Sequence, residues 1–132
     1  MTPERTVVAA IIERNGDILI CQRRHDDRYP MKWEFPGGKA EAGEAPRAAL
    51  ERELDEELSI RATIGPEVTR YEYQYAARTP ILLIFYRVTE FEGEPENRVF
   101  EQIRWETPRK LAEYDFVDGD VEFVKKLAGG MT

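Results

Sequence analysis

The sequence predicts an α+β domain, and three observations carry that expectation. The run "TVVAAIIERNGDILICQRR" is two β-rich segments joined by Asn15-Gly16, a pair suited to the positive φ angles of a tight hairpin. From Ala45 to Leu58 the leucines Leu50, Leu54 and Leu58 recur at a spacing of four, the apolar stripe of an amphipathic helix. "TPILLIFYRVTEF" is almost continuously apolar, as a central strand covered on both faces would be.

The other elements follow in order. Between the hairpin and the helix, "HDDRYPMKWEFPGGKAEAGEAP" is rich in Gly, Pro and charge and reads as a long ordered loop. The helix then starts with Pro46 in its first turn, where a missing N–H does no harm. "EVTRYEYQYA" and the apolar run after it read as two strands, and "EQIRWETP" as a further short one. "TPRKLAEYDF" reads as a short helix and "GDVEFVKKLAG" as a terminal helix closed by Gly129 and Gly130. Nothing repeats and no linker divides the chain, so residues 1–132 read as a single domain.

Composition excludes several classes. A hydrophobic fraction of 42% with 34% charged residues is that of an ordinary globular chain. No apolar run approaches the roughly 18 residues of a membrane span, and the N-terminus lacks a signal-peptide layout. One cysteine, Cys21, forbids an internal disulfide and suits a cytoplasmic setting; inside "DILICQR" it reads as a buried structural thiol. A net charge of −7 argues against gripping a nucleic-acid polymer, yet leaves room for small phosphorylated ligands held through cations. No membrane or dedicated protein partner is expected.

The stretch "ERELDEELSI" then stands out, with Glu51, Glu53, Asp55, Glu56 and Glu57 on one helix. At about 100° per residue, Glu57 falls about 40° to one side of Glu53 and Glu56 about 60° to the other. The three share a face at the edge of the leucine stripe. A purely solvating acidic face would point away from the leucines. Carboxylates that converge at a half-buried edge suit a hard divalent cation, with Mg²⁺ the usual partner and Mn²⁺ a substitute.

The loop before the helix extends the pattern. Gly38, five residues, Glu44, seven residues, and then Arg52-Glu53-Leu54-Asp55-Glu56-Glu57-Leu58-Ser59-Ile60 resembles the Nudix hydrolase signature G-x5-E-x7-R-E-U-x-E-E-x-G-U, where U is aliphatic. Residues 38–60 match at every fixed position except Ser59, where the family has glycine. The likeness runs from about Val7 to Leu127, through "WEFPGGK", Trp105 and the C-terminal segment, and is to the MutT-type nucleotide pyrophosphohydrolases. It implies a Nudix α/β/α sandwich, a mixed sheet between the signature helix and a C-terminal helix.

By that resemblance the metal ligands are Glu53, Glu56 and Glu57 with the carbonyl of Gly37, while Arg52 orients the carboxylates and Glu44 steadies the loop–helix junction. Glu53 is the stronger candidate for general base. Many relatives also carry an acid or histidine just before the strand that holds Trp105. Val99 and Phe100 occupy those positions here, with Glu96 and Glu101 beside them, and Glu101 is the further metal candidate against its alternative as a surface glutamate. The resemblance directs Arg23 at substrate phosphates, where the alternative is an ordinary surface arginine. His25 has no partner of a metal or catalytic kind, and Ser59 no triad.

For the base, the resemblance points to Phe35, Arg78 and Asp120. An aspartate accepts from an amine when ionised and donates when protonated. Asp120 also stands where a helix N-cap would, so capping is its alternative role. The implied activity is Mg²⁺-dependent hydrolysis of a nucleoside triphosphate to monophosphate and pyrophosphate. The favoured substrate is 8-oxo-dGTP, in nucleotide-pool sanitising. The alternative substrate is CTP or a modified dCTP, and ADP-ribose is more distant. A non-catalytic nucleotide sensor is the rival class, disfavoured because every signature carboxylate is kept.

Overall fold

A computed structural model describes residues 5–130. It contains β1 (Arg5–Arg14), β2 (Asp17–Gln22), β3 (Trp33–Glu34), β4 (Gly37–Lys39), α1 (Pro46–Leu58), β5 (Arg61–Thr63), β6 (Glu67–Tyr73), β7 (Ile81–Val88), β8 (Glu90–Glu92), β9 (Gln102–Glu106) and α2 (Val121–Ala128). The segment predicted as a short helix is a 3-10 turn, Pro108–Glu113, and a second such turn, Asp118–Asp120, leads into α2. Among the described residues no helix is long and apolar enough to cross a membrane.

The main sheet is mixed and runs β3-β2-β1-β7-β6, with β4 added to β1 and β9 added to β2. β1 and β7 pair in parallel, and the remaining pairs are antiparallel. The apolar run therefore becomes β7, an inner strand between β1 and β6. Asn15 and Gly16 take φ angles of 54° and 85°, closing the predicted hairpin. A separate small sheet, β5 with β8, is unsignalled in the sequence because each strand has only three residues.

Alternation along β1 builds two cores. Val8, Ala10 and Ile12 face one way and pack with Ala49, Leu50, Leu54 and Leu58 of α1. Ala9 and Ile11 face the other way and pack with Phe123, Val124 and Leu127 of α2. The sheet is thus sandwiched between the two helices, as the period-two and period-four patterns require.

The long loop needs correction, because it contains two strands. β1 and β2 pair directly only at the hairpin end, Glu13 with Ile18 and Arg14 with Asp17. Farther along they diverge, and "WEFPGGK" enters the gap, pairing β3 with Cys21 and Gln22 and β4 with Val7–Ala9. Ala10 N–H donates to the Pro36 carbonyl at 2.8 Å, which ties down the bend between them. That wedge carries Glu34, Phe35, Gly37 and Gly38 to the mouth of the divide.

Candidate active site

The signature helix begins at Pro46 and ends where Ser59 takes φ 57° and ψ 34°, its N–H donating to the Asp55 carbonyl at 3.0 Å. This is the left-handed terminus that the missing glycine would occupy without steric cost. The leucine stripe is fully buried, and the acids lie along its edge: side-chain exposure is 15% for Glu53 but 57% for Glu56.

Arg52 organises this edge. Its Nε and Nη2 donate to the two carboxylate oxygens of Glu44 at 2.9 and 3.0 Å, Nη1 donates to Glu53 at 2.7 Å, and Nη1 also reaches Glu56 at 3.4 Å. The guanidinium holds the Glu44 carboxyl down at about 2, with help from the Glu41 N–H that donates to it. Glu44 thereby joins the loop to the helix, as expected of it.

Glu57 has no arginine. It accepts from Gly37 N–H at 3.2 Å, and burial, with Glu53 and Glu34 nearby, raises its carboxyl far above the ordinary range. A Cβ on Gly37 would collide with the Val8 backbone carbonyl, and one on Gly38 would force the end of the Glu53 side chain to move.

These groups open into a cleft of about 810 Å³ that gathers Glu53, Glu56, Glu57, Gly37, Arg23, Phe35, Arg78 and Asp120 from the sequence-predicted set. A groove of about 960 Å³ at the hairpin end, around Asn15, Arg61 and Phe91, contains none of them.

The NUDIX domain model matches residues 2–127. The chain belongs to the Nudix family. It is 38% identical over 119 residues to a CTP pyrophosphohydrolase of Escherichia coli K12, covering 90% of this chain and 87% of that protein. It is 36% identical over 122 residues to an 8-oxo-dGTP diphosphatase of Haemophilus influenzae, covering 91% and 89%. The solution structure of the E. coli ORF135 protein superposes with a TM-score of 0.82 at 37% identity, over 92% of this chain and 86% of that one. The structure reported for MutT from Aliivibrio salmonicida and Vibrio cholerae gives 0.79 at 32% identity, over 96% and 97%. The fold is therefore the Nudix sandwich, and the chain is a Nudix hydrolase.

Nudix hydrolases use divalent metal ions, and the oxygen donors at this edge fit one. A buried, cation-free carboxyl at Glu57 beside Glu53 is what such an ion would relieve. Among the described residues no three acidic or metal-ligating side chains close around a single point, since Arg52 draws Glu53 and Glu56 toward itself.

Several Nudix positions differ from expectation. Glu101 is absent from the cleft lining and turns toward His25, Oε1 to Nδ1 at 3.5 Å, while its N–H bonds the Gln22 carbonyl just before β9. Glu96 also lies outside the lining, its N–H bonded to the Leu58 carbonyl, whereas Val99 and Phe100 line the cleft. Arg23 uses three of its five N–H donors within the chain: Nη1 on Glu34 at 2.9 Å, Nη2 on Asp27 at 3.0 Å and Nε on the Arg28 carbonyl. It braces Glu34 while lining the cleft. Phe35 is 4% exposed and packs on Phe85, Phe116 and Phe123.

Asp120 is 6% exposed and makes no side-chain cap to α2, so its alternative role as an N-cap is not realised. Burial, then the nearby Glu34, drives its carboxyl well above the ordinary range, with Phe35 N–H as an opposing donor. Glu34 is raised by burial too, against the pull of Arg23. Glu34, the residue of β3 after the buried Trp33, also lines the cleft and was not among the residues expected there. Nor was Tyr75, which lines the cleft; period-two tyrosines in "RYEYQY" were the available signal.

Proposed function

We propose that this Nudix hydrolase cleaves 8-oxo-dGTP to the monophosphate and pyrophosphate, with Mg²⁺ as its metal, in the nucleotide pool of a reducing cytoplasm. The observation that carries this reading is the placement of a buried, cation-free Asp120 carboxyl in one cleft with the carboxylate edge of α1. A neutral carboxyl offers a donor and an acceptor side by side. The oxidised guanine presents an acceptor, O6, beside a new N7–H donor, so both bonds form. Plain guanine presents two acceptors on that edge, and one of the carboxyl oxygens is left facing a lone pair. Loss of such a buried bond discriminates by about 5- to 150-fold.

Glu53, Glu56 and Glu57 would hold the metal, with the Gly37 carbonyl as the backbone ligand. When bound, it would supply charge neutralisation at the phosphates and a more acidic water. The rest is done by the chain. Arg52 fixes the carboxylate of Glu53, whose other oxygen stands over Gly38 and can take the proton of an attacking water. Arg5, Lys39 and Arg78 line the cleft and bring positive charge to the triphosphate. Breaking the α–β anhydride releases pyrophosphate.

A second reading is a cytosine triphosphate, since cytosine also sets a donor, its amine, beside the N3 acceptor. The Escherichia coli relative named for CTP supports it. A panel of 8-oxo-dGTP, dGTP, CTP, 5-methyl-dCTP and ADP-ribose with Mg²⁺ decides. We expect the highest kcat/KM on 8-oxo-dGTP; a higher value on either cytosine nucleotide selects the second reading, and turnover of ADP-ribose alone rejects both.

A further inference from the structure

We propose that Tyr75, assisted by Tyr71, is a specificity-determining positioning residue that sets where Asp120 stands against the base. The proposal rests on the reading that Asp120 meets the base. Tyr71 lies on β6 and Tyr75 just beyond it, far in sequence from the turn Asp118–Asp120, yet the two phenols hold both polar groups of Gly119. The Gly119 N–H donates to Oη of Tyr75 at 2.8 Å, and Oη of Tyr71 donates to the Gly119 carbonyl at 2.6 Å.

Gly119 is buried and has no room for a larger residue, since a Cβ there would lie 2.5 Å from the Tyr75 hydroxyl. The next residue is Asp120, whose N–H bonds the Val117 carbonyl at 2.9 Å. The turn is thus pinned at both peptides that flank the Gly119 Cα. A shift of the phenols moves the Asp120 carboxyl relative to Phe35, whose backbone N–H opposes the rise of that carboxyl.

Tyr75 is itself anchored. Its ring stacks on Tyr29 at 5.0 Å between centroids and meets Tyr73 edge-on at 4.8 Å. Tyr29 holds a left-handed backbone, φ 54°, which is uncommon for a bulky residue and marks a loop constrained by its surroundings. Tyr29 and Tyr75 both line the cleft, so the stack joins two loops at its mouth. Base selectivity therefore depends on a tyrosine whose hydroxyl contacts the backbone beside the reading residue.

The test is Tyr75→Phe, which keeps the ring and its stacking and removes only the hydroxyl, assayed beside Tyr71→Phe and Gly119→Ala on 8-oxo-dGTP, CTP and dGTP. Expected for Tyr75→Phe is a KM for the preferred nucleotide raised by about 2- to 10-fold, one hydrogen bond's worth, with kcat within about twofold. The preference over dGTP should shrink by the same factor. Because Tyr75 acts through Gly119, adding Gly119→Ala to Tyr75→Phe should change that preference less than it does in the wild type. Strictly additive effects, or unchanged base ratios in folded Tyr75→Phe and Tyr71→Phe, overturn the proposal. A wild-type protein that discriminates while these variants discriminate equally well defeats the tyrosine proposal alone; a wild type that turns over no triphosphate defeats the functional reading beneath it.

Discussion

Arg52 answers Glu44, Glu53 and Glu56 within one short stretch of chain, whereas Asp120 has no cation and is set in place by residues from several distant segments. The first region gathers Glu44, Glu53 and Glu56 around one guanidinium, and the carboxyl left without a cation, Glu57, is raised by burial and its acidic neighbours. The second works with burial, which favours the uncharged form of Asp120 and turns a carboxyl into a donor–acceptor pair. One cleft thus holds carboxylates paired with a guanidinium, such as Glu53, and carboxyls raised by burial with no cation beside them, Glu57 and Asp120. Polyphosphate chemistry needs fixed charge, while base reading needs directional hydrogen bonds without a net charge to desolvate.

The sharpest way to break the contrast is Glu57→Gln, which removes the carboxyl proposed to become a metal ligand while keeping its shape. Activity should fall by at least about 100-fold with the fold intact, since a ligand and its electrostatic role are lost together. The metal-free variant should melt higher than wild type, because the burial and repulsion that raise the Glu57 carboxyl are relieved. Activity that survives with unchanged Mg²⁺ dependence would reduce Glu57 to part of an acidic face.

Asp120→Asn probes the other region and should act on selectivity rather than on turnover. The ranking of purine and pyrimidine triphosphates by kcat/KM should change by about 5- to 150-fold in ratio. Ratios measured on one preparation cancel differences in active fraction, so an unaltered ranking removes Asp120 from base reading.

A smaller effect should appear in stability against pH. The folded Asp120 carboxyl is raised above its ordinary value of 3.8, so its contribution is complete below that pH and is lost as pH rises through the folded value. Glu34, raised from 4.5, acts in the same direction, while Tyr71 and Tyr75 are raised as well and stay neutral. Metal-free wild type should therefore lose melting temperature as pH rises above the ordinary carboxylate range, and Asp120→Asn should lose less. Parallel melting curves would mean that Asp120 carries no such burden.

The smallest expected change is Ser59→Gly. It relieves the left-handed residue at the end of α1, worth about 1 kcal/mol or about 3 °C in Tm, less whatever the Arg98 bond to the serine hydroxyl contributes. Activity should not move; lower stability would show that the Arg98 contact outweighs the backbone strain.

The same contrast explains what could be read from the residues alone. The leucine stripe, the acids beside it and the need for positive φ at residue 59 are local, and spacing on one helix exposes them. β3 and β4 were hidden because they exist only where β1 and β2 part, and a Gly/Pro-rich segment looks like a loop until that gap is known. Arg23 was legible as a cleft residue, but its engagement by Glu34 and Asp27 depends on how the loop folds back. The misplacement of Glu101 has the same origin: the neighbouring Val99 and Phe100 line the cleft, while the backbone pairing with Gln22 accompanies a side chain turned toward His25. Tyr71, Tyr75 and Gly119 meet only in three dimensions.

The central claim, hydrolysis of a nucleoside triphosphate at the α–β anhydride, is tested most directly by identifying products. Wild-type protein is incubated with Mg²⁺ and 8-oxo-dGTP, and phosphate-containing products are separated and quantified. The account predicts equal amounts of nucleoside monophosphate and pyrophosphate, with no product when the metal is chelated. Nucleoside diphosphate with orthophosphate, or no turnover of any triphosphate on the panel, would contradict it.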